Sequence, residues 1–174
     1  MAWTEPKTWT NEPLIASDMN THIKDNLDAL KTPPADQTVM NAGSDTTTTN
    51  TSWEAIGAGT PIYSVTITTA GDSVLAGFHG NFRHSAAGGR VYLDIYVDGV
   101  AHAGDDGIIA DNANTTGVPG VSISFVRRIT GLSAGSHTFI LYWKIVTAGT
   151  VTHFTGAGTA SADLHPQFWV AEMS

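Results

Sequence analysis

"VYLDIYVDG", residues 91–99, decides the fold. Val91, Leu93, Ile95 and Val97 point one way and Tyr92, Asp94 and Tyr96 the other, the period-two alternation of a strand with two unlike faces. Asp98 and Gly99 follow directly, and Asp-Gly after an alternating run signals a tight hairpin. "VSISFVRRI" (121–129) repeats the pattern, with Val121, Ile123 and Phe125 opposed by Ser122 and Ser124. "HTFILYWKI" (137–145) is apolar on both faces: Phe139, Leu141 and Trp143 oppose Ile140 and Tyr142. Such a strand is central, or is covered by another subunit, which makes Phe139, Ile140, Tyr142 and Trp143 candidate oligomer-interface residues. Further strands are expected at Ser52–Ile56, Ile62–Thr69, Ser73–Phe82, Thr150–Phe154 and Gln167–Glu172, separated by Gly, Asn, Asp and Pro. Around eight short strands with no second helical pattern predict an all-β fold, a two-sheet antiparallel β-sandwich with jelly-roll wiring.

Length and composition narrow the function classes. The 174 residues suffice for one domain plus an appendage. The chain has no cysteine, so disulfides, thiolate metal sites and cysteine nucleophiles are excluded together. Net charge is −8 with only 8 Lys+Arg, too few cations to compete for a phosphate backbone, so no nucleic-acid partner is expected. No signal-peptide pattern opens the chain, and no stretch approaches the roughly 20 apolar residues that span a bilayer, so neither export nor a membrane partner is expected. Charged residues are 14% of the chain, against about 25% in ordinary globular domains. A β-protein with so little charge is expected to hide surface in neighbours, as a homo-oligomer and most naturally a trimer.

The opening segment has a different character. "WTEPKTWTNEPLIASDMNTHIKDNLDALK" (3–31) holds two tryptophans, two prolines and an amphipathic helix. Ser17 suits an N-cap, Asp18 the positive end of the helix dipole and Lys31 the negative end. Met19, Ile23, Leu27 and Leu30 then form one narrow apolar stripe. Pro33 and Pro34 stop the helix near Leu30 or Lys31, and the polar run Thr46–Thr49 reads as an extended linker or an exposed edge strand. The domain boundary is therefore expected near Asp45–Thr51, giving an anchor segment at 1–45 and a sandwich at 46–174. Burying the four stripe residues would contribute on the order of 6 to 12 kcal/mol at ~1.5 to 3 each. Ordering roughly a dozen residues costs at least as much, at ~1 to 2 kcal/mol apiece. The helix needs a partner: its own sandwich, or another chain. Trp3 and Trp9, large rings of the kind that anchor interfaces, favour another chain, and with Ile15, Met19, Ile23, Leu27 and Leu30 they are the candidate partner-binding residues.

Two stretches carry resemblances. "ITGLSAGSHTFILYWKI" (129–145) followed by "QFWVAEM" (167–173) resembles the end of the compact trimeric jelly rolls related to tumour necrosis factor and C1q heads, a form also common at the tips of phage fibres. The opening segment resembles the N-terminal segment of many structural proteins of tailed bacteriophages. Trp3, Pro6, Trp9, Ala16, Asn20, Ile23, Lys24, Asp25, Asn26 and Leu27 carry that likeness, whereas Pro13 departs from it. The resemblance implies a virion component assembled in the host cytoplasm, docked on other virion proteins as a capsid decoration, head fibre or minor tail and adhesion protein, with a host surface glycan as a further partner.

Catalytic constellations are scarce. Seven histidines are scattered without H-E-x-x-H or paired spacing, and there is no G-x-S-x-G elbow. A metal shared on a trimer axis would draw on His79 or His153. "DGVAHAGDDGIIADNAN" (98–114) collects oxygen donors off the EF-hand spacing and reads as a solvated loop. Arg127 and Arg128 straddle one strand. The expected function is non-enzymatic and cofactor-free; the alternative is a carbohydrate-binding, lectin-like module presenting Tyr92, Tyr96 and Tyr142 to sugar rings.

Overall fold

The computed structural model describes residues 7–8, 10, 12–13, 15–27, 33–40, 44–57, 59–112, 120–156 and 165–173. A helix, α1 (Ala16–Met19), runs on into a π turn (Asn20–Lys24) and returns to α geometry up to Leu27. Strands follow in the order β1 (Ala35–Val39), β2 (Thr46–Thr48), β3 (Glu54–Ala55), β4 (Ser64–Thr69), β5 (Asp72–His84), β6 (Arg90–Val97), β7 (Val100–Ala101), β8 (Ile109–Asn112), β9 (Val121–Leu132), β10 (Gly135–Ile145), β11 (Val151–Phe154) and β12 (Gln167–Glu172).

Every pairing is antiparallel, in two sheets. Sheet A runs β1-β12-β5-β9, with β11 beside β5 beyond the end of β12 and β2 outside β11. Sheet B runs β4-β10-β6-β8, with β3 beside β10 and β7 beside β6. Numbering the eight principal strands in chain order, sheet A reads first, eighth, third, sixth and sheet B second, seventh, fourth, fifth. That is jelly-roll wiring, as the alternation predicts.

Alternation explains which side chains fill the space between the sheets. Val74, Phe78 and Phe82 of β5 with Phe168 and Val170 of β12 meet Leu93 and Ile95 of β6 and Phe139, Leu141 and Trp143 of β10, all buried. The Asp-Gly hairpin forms as read: Asp98 and Gly99 have φ of 51° and 84°, and Val97 pairs with Val100 across the turn. The turn is also tied to β10, since Asp98 Oδ1 accepts from Thr138 N at 2.8 Å and Oδ2 lies 2.7 Å from His137 Nδ1.

The structure moves one boundary, decides one open choice and fills one expected loop. Residues 35–39, expected in the linker, form β1, whose partners run from Ala35↔Ala171 to Val39↔Gln167 on the terminal strand. Glu172 N already donates to Pro34 O at 2.8 Å, so the sandwich begins just after the prolines and not at residue 46. The threonine run takes the edge-strand option, as β2 pairing with β11. Finally, the stretch read as a solvated loop contains β7 and β8, because Ile108 and Ile109 pack against the core and carry β8 into register with Arg90–Leu93 of β6.

Candidate functional site

The helix at 16–27 is inside out. Asp18, His22 and Asp25 are half-buried and Asn26 is buried, whereas Ile15, Met19, Ile23 and Leu27 are 44 to 60% exposed. Lys7 holds the polar side, its Nζ 2.5 Å from Asp18 Oδ2 and 2.9 Å from Glu12 Oε2. Asn26 Nδ2 donates to His22 O at 3.2 Å. The helix packs extensively against no strand among the described residues. Met19, Ile23 and Leu27 of the expected stripe are thus brought together, with Ile15 continuing the row, and they face outward. Ser17 is not the N-cap: Ile15 holds that position with extended backbone and no side-chain cap, and Ser17 lies within the first turn. Trp3, Trp9 and Leu30 fall outside the described residues.

The two faces of β10 separate the four candidate interface residues. Phe139 and Trp143 are 0 and 1% exposed in the protomer's own core, which corrects their placement at an oligomer interface: the second sheet, not a second subunit, covers them. Ile140 and Tyr142 point outward and are half-buried. Tyr142 stacks on Tyr96, ring centroids 3.8 Å apart and planes within 13°. Lys144 Nζ lies 4.6 Å over the Trp53 ring and 5.6 Å over Tyr92. The tyrosines expected to meet sugar rings therefore engage one another and a lysine. Beneath them Asp94, on the nominally polar face, is fully buried, because the segment after β7 folds over it. Its Oδ1 accepts from Ile95 N at 2.8 Å, and both its oxygens lie 3.2 Å from Ala103 N. Burial raises its carboxyl above the usual carboxylate range, and the N–H groups of Ala103 and Ile95 pull it back only in part.

The outer face of sheet A carries apolar surface that the alternation alone did not flag. Register places Gln37, Trp169, Gly77 and Val126 in one row, with Ala35, Ala171, Leu75 and Arg128 beside it and Val39, Gln167, His79 and Ser124 on the other side. The Trp169 indole lies flat across Gly77, where a Cβ would come within 2.3 Å of the ring. Val126 is 63% and Val39 50% exposed. A shallow depression of about 530 Å³ opens along β1 and β12, lined by Ala35, Gln37, Trp169 and Ala171 among others. The β9 edge carries the exposed Arg127 and Arg128, the β1 edge the exposed Asp36. A valine at 126, in register with Ser122 and Ser124, is the signal in the sequence that this face is not simply solvated.

Of the two histidines suggested as metal donors, His79 is exposed and His153 is fully buried. His153 Nε2 accepts from the Tyr63 hydroxyl at 2.7 Å and its Nδ1 donates to Asn81 O at 2.9 Å, so both ring nitrogens are occupied in the core and neither is available to a shared metal. Burial lowers its pKa to about 4. Among the described residues no group of three or more His, Cys, Asp or Glu could hold a metal ion, and no helix is long and apolar enough to cross a membrane.

No family model matches the chain, and no curated protein matches it. Among solved structures it is similar to the Eiger TNF from S. frugiperda, with 9% identity, a TM-score of 0.41, and coverage of 82% of this chain and 94% of that one. It is also similar to the infectious bursal disease virus VP2 subviral particle, at 15% identity and a TM-score of 0.39 over 79% of this chain and 37% of that chain. A structure of the infectious bursal disease virus Gx strain gives 15% identity and a TM-score of 0.33 over 80% of this chain and 33% of that one. The chain spans about a third of the length of the two viral proteins.

Proposed function

We propose that the protein is a non-enzymatic structural component of a tailed-bacteriophage virion. Its N-terminal helix docks on another virion protein, and its jelly roll is displayed as a homo-oligomer, a trimer, in a decoration, head-fibre or minor tail and adhesion role. One observation carries the reading: a helix that turns its polar side toward its own chain and leaves Ile15, Met19, Ile23 and Leu27 in solvent. Apolar side chains of this size each gain ~1.5 to 3 kcal/mol on full burial, so burying the exposed row in a partner is favourable. The likeness of the opening segment to phage structural proteins supplies the kind of partner.

Self-association is assigned to the outer face of sheet A. Val126, Trp169, Gly77 and Leu75 give it a flat apolar centre, with Arg128 on the same face, and the two edge strands carry opposite charge in the core-side register, Arg127 on β9 and Asp36 on β1. A contact that joins the β9 edge of one copy to the β1 edge of the next is heterologous, and a turn of about 120° at each contact closes it as a ring of three. The lectin-like alternative has the outward tyrosines as its material, and the stacking of Tyr96 on Tyr142 favours the structural reading over it.

Retention on purified particles tests the anchor. Ile23→Asp sets a carboxylate in mid-stripe, where desolvation without a partner costs several kcal/mol, and is expected to release the protein. Wild type is expected to stay bound at molar salt, since apolar contacts are not screened. Wild type stripped by salt alone, with Ile23→Asp still bound, would overturn the apolar anchor. In parallel, Val126→Asp is expected to lower the oligomer order seen by light scattering while leaving the thermal unfolding of the head intact.

A further inference from the structure

We infer that the partner of α1 is a straight, uncharged apolar groove on a protein other than this one, entered by a single helix, and not the same helix of a second copy; the inference rests on the anchor reading above. It comes from the π turn at Asn20–Lys24, where Asp25 N donates five residues back to Asn20 O. The exposed apolar residues recur every fourth position: Ile15, Met19, Ile23 and Leu27. In an unbroken α-helix a four-residue step overshoots one turn by about 40°, so three steps would spread the row over about 120° of the helix surface. A π turn takes more residues per revolution and rotates the row back. The insertion therefore keeps four side chains aligned along about 18 Å of helix, at 1.5 Å per residue.

A row of this kind suits a groove and does not suit a copy of itself. Knobs-into-holes packing between like helices needs apolar residues at alternating spacings of three and four, and this row has only fours. The exposed apolar area is also small. The four exposures together amount to about two whole side chains, roughly 120 to 240 Å² at ~25 cal/mol per Å². A stable symmetric contact needs about 800 Å² per partner. A preformed groove wraps the same side chains on several sides and gains more area from its own walls. Charge demands nothing of those walls, since Asp18 is matched by Lys7, and Lys24 lies 3.7 Å from Asp25.

Two measurements on the full-length chain decide it. A photoreactive amino acid replacing Ile23 is irradiated in assembled particles and the adduct is weighed; the expected product joins one copy of this chain to one chain of different mass. In solution, wild type, Ile23→Asp and Ile23→Ala are compared by light scattering and by retention on particles. Ile23→Ala shortens one side chain of the row and adds no charge. The expected result is an unchanged oligomer order for all three and at least a tenfold loss of retention for Ile23→Asp, with Ile23→Ala between it and wild type and unchanged thermal unfolding of the head. An adduct of two copies or a lower oligomer order for Ile23→Asp overturns the inference while leaving a virion anchor standing, and full retention of Ile23→Asp overturns the apolar anchor and this inference together. Absence of the chain from particles overturns the anchor reading, and this inference with it.

Discussion

Acid is expected to loosen the core of this protein through one histidine. His153 sits at 0% exposure with its ring stacked on Phe82, centroids 4.3 Å apart and planes within 16°. The Tyr63 hydroxyl donates to its Nε2, so protonating that nitrogen reverses the bond, leaves the Tyr63 O–H without this acceptor and strands a charge among Phe78, Phe82 and Tyr63. Burial lowers its folded pKa to about 4 from an ordinary 6.5. Between those values the unfolded chain binds a proton that the folded chain refuses, so stability falls as pH falls through that window. The loss comes to about 2 kcal/mol at pH 5 and on the order of 3 kcal/mol once the pH is below 4. Denaturant titrations at pH 7.5, 6.0 and 5.0 measure it, with the double variant Tyr63→Phe/His153→Phe as reference. That variant replaces the hydrogen-bonded pair with rings of similar shape, an exchange that can be nearly neutral at pH 7.5. Wild type is expected to lose about 2 kcal/mol more than the double variant between pH 7.5 and 5.0. Parallel curves would refute the argument, because burial raises Tyr63 far above this range and every other titrating group is common to both proteins.

The hairpin turn titrates in the opposite sense. His137 is raised from 6.5 chiefly by its bond to Asp98 and then by Ser133 O, so its contribution is complete below pH 6.5 and is lost as pH rises through the raised value. Asp98 is lowered from 3.8 by the Thr138 N–H first and His137 second, so its contribution is present above pH 3.8 and is lost on further acidification. Asp98→Ala is thus expected to destabilise most between pH 4 and 6.5 and less above, read from the same titrations. A truncation series tests the moved domain boundary: removing residues 1–31 leaves β1 in place and is expected to preserve the thermal transition of the head. Removing residues 1–45 uncovers the β12 edge and is expected to cost a few kcal/mol, at about 0.5 to 1.5 per lost backbone hydrogen bond.

How much of this was legible depends on where the information lies. β12 is found at the predicted Gln167–Glu172, and β6 exceeds the alternating run by a single residue, because alternating burial is written into each strand's own side chains. β1 was not legible: "ADQTV" has little strand propensity and follows two prolines, and it is a strand only because the far end of the chain offers an open edge 130 residues away, Gln37 bonding to Gln167 across it. The burial of Asp94 was not legible for a related reason. Its alternation is correct, and it is buried by a segment folding over the sheet, with Ala103 N bonded to its carboxylate. In β10 the doubly apolar run was plain, but nothing local says which face meets the other sheet. Phe139 and Trp143 turned out to be the inner face, and Tyr142 the outer.

The same limit applies to the helix, and there it bears on function. Periodicity identifies a row of apolar residues but not its direction, since a stripe buried on the chain's own sandwich and a stripe offered to a partner have the same sequence pattern. Direction is settled by what the opposite side does. Asp18 is held by Lys7 from outside the helix, and Asn26 is buried and bonded back to His22 O, so rotating the stripe inward would break the Asp18 pairing and carry those polar groups outward. The Lys7 pair is partly exposed and contributes little alone. Its role is orientational: it selects one of two faces for a helix too short to hold itself. On the proposed anchor reading, a polar face committed to its own chain and an apolar row kept straight by the π turn ask the same thing of the neighbour, a dry surface shaped before the helix arrives. An interface built that way places its energy in Met19, Ile23 and Leu27 and its alignment in the turn between them.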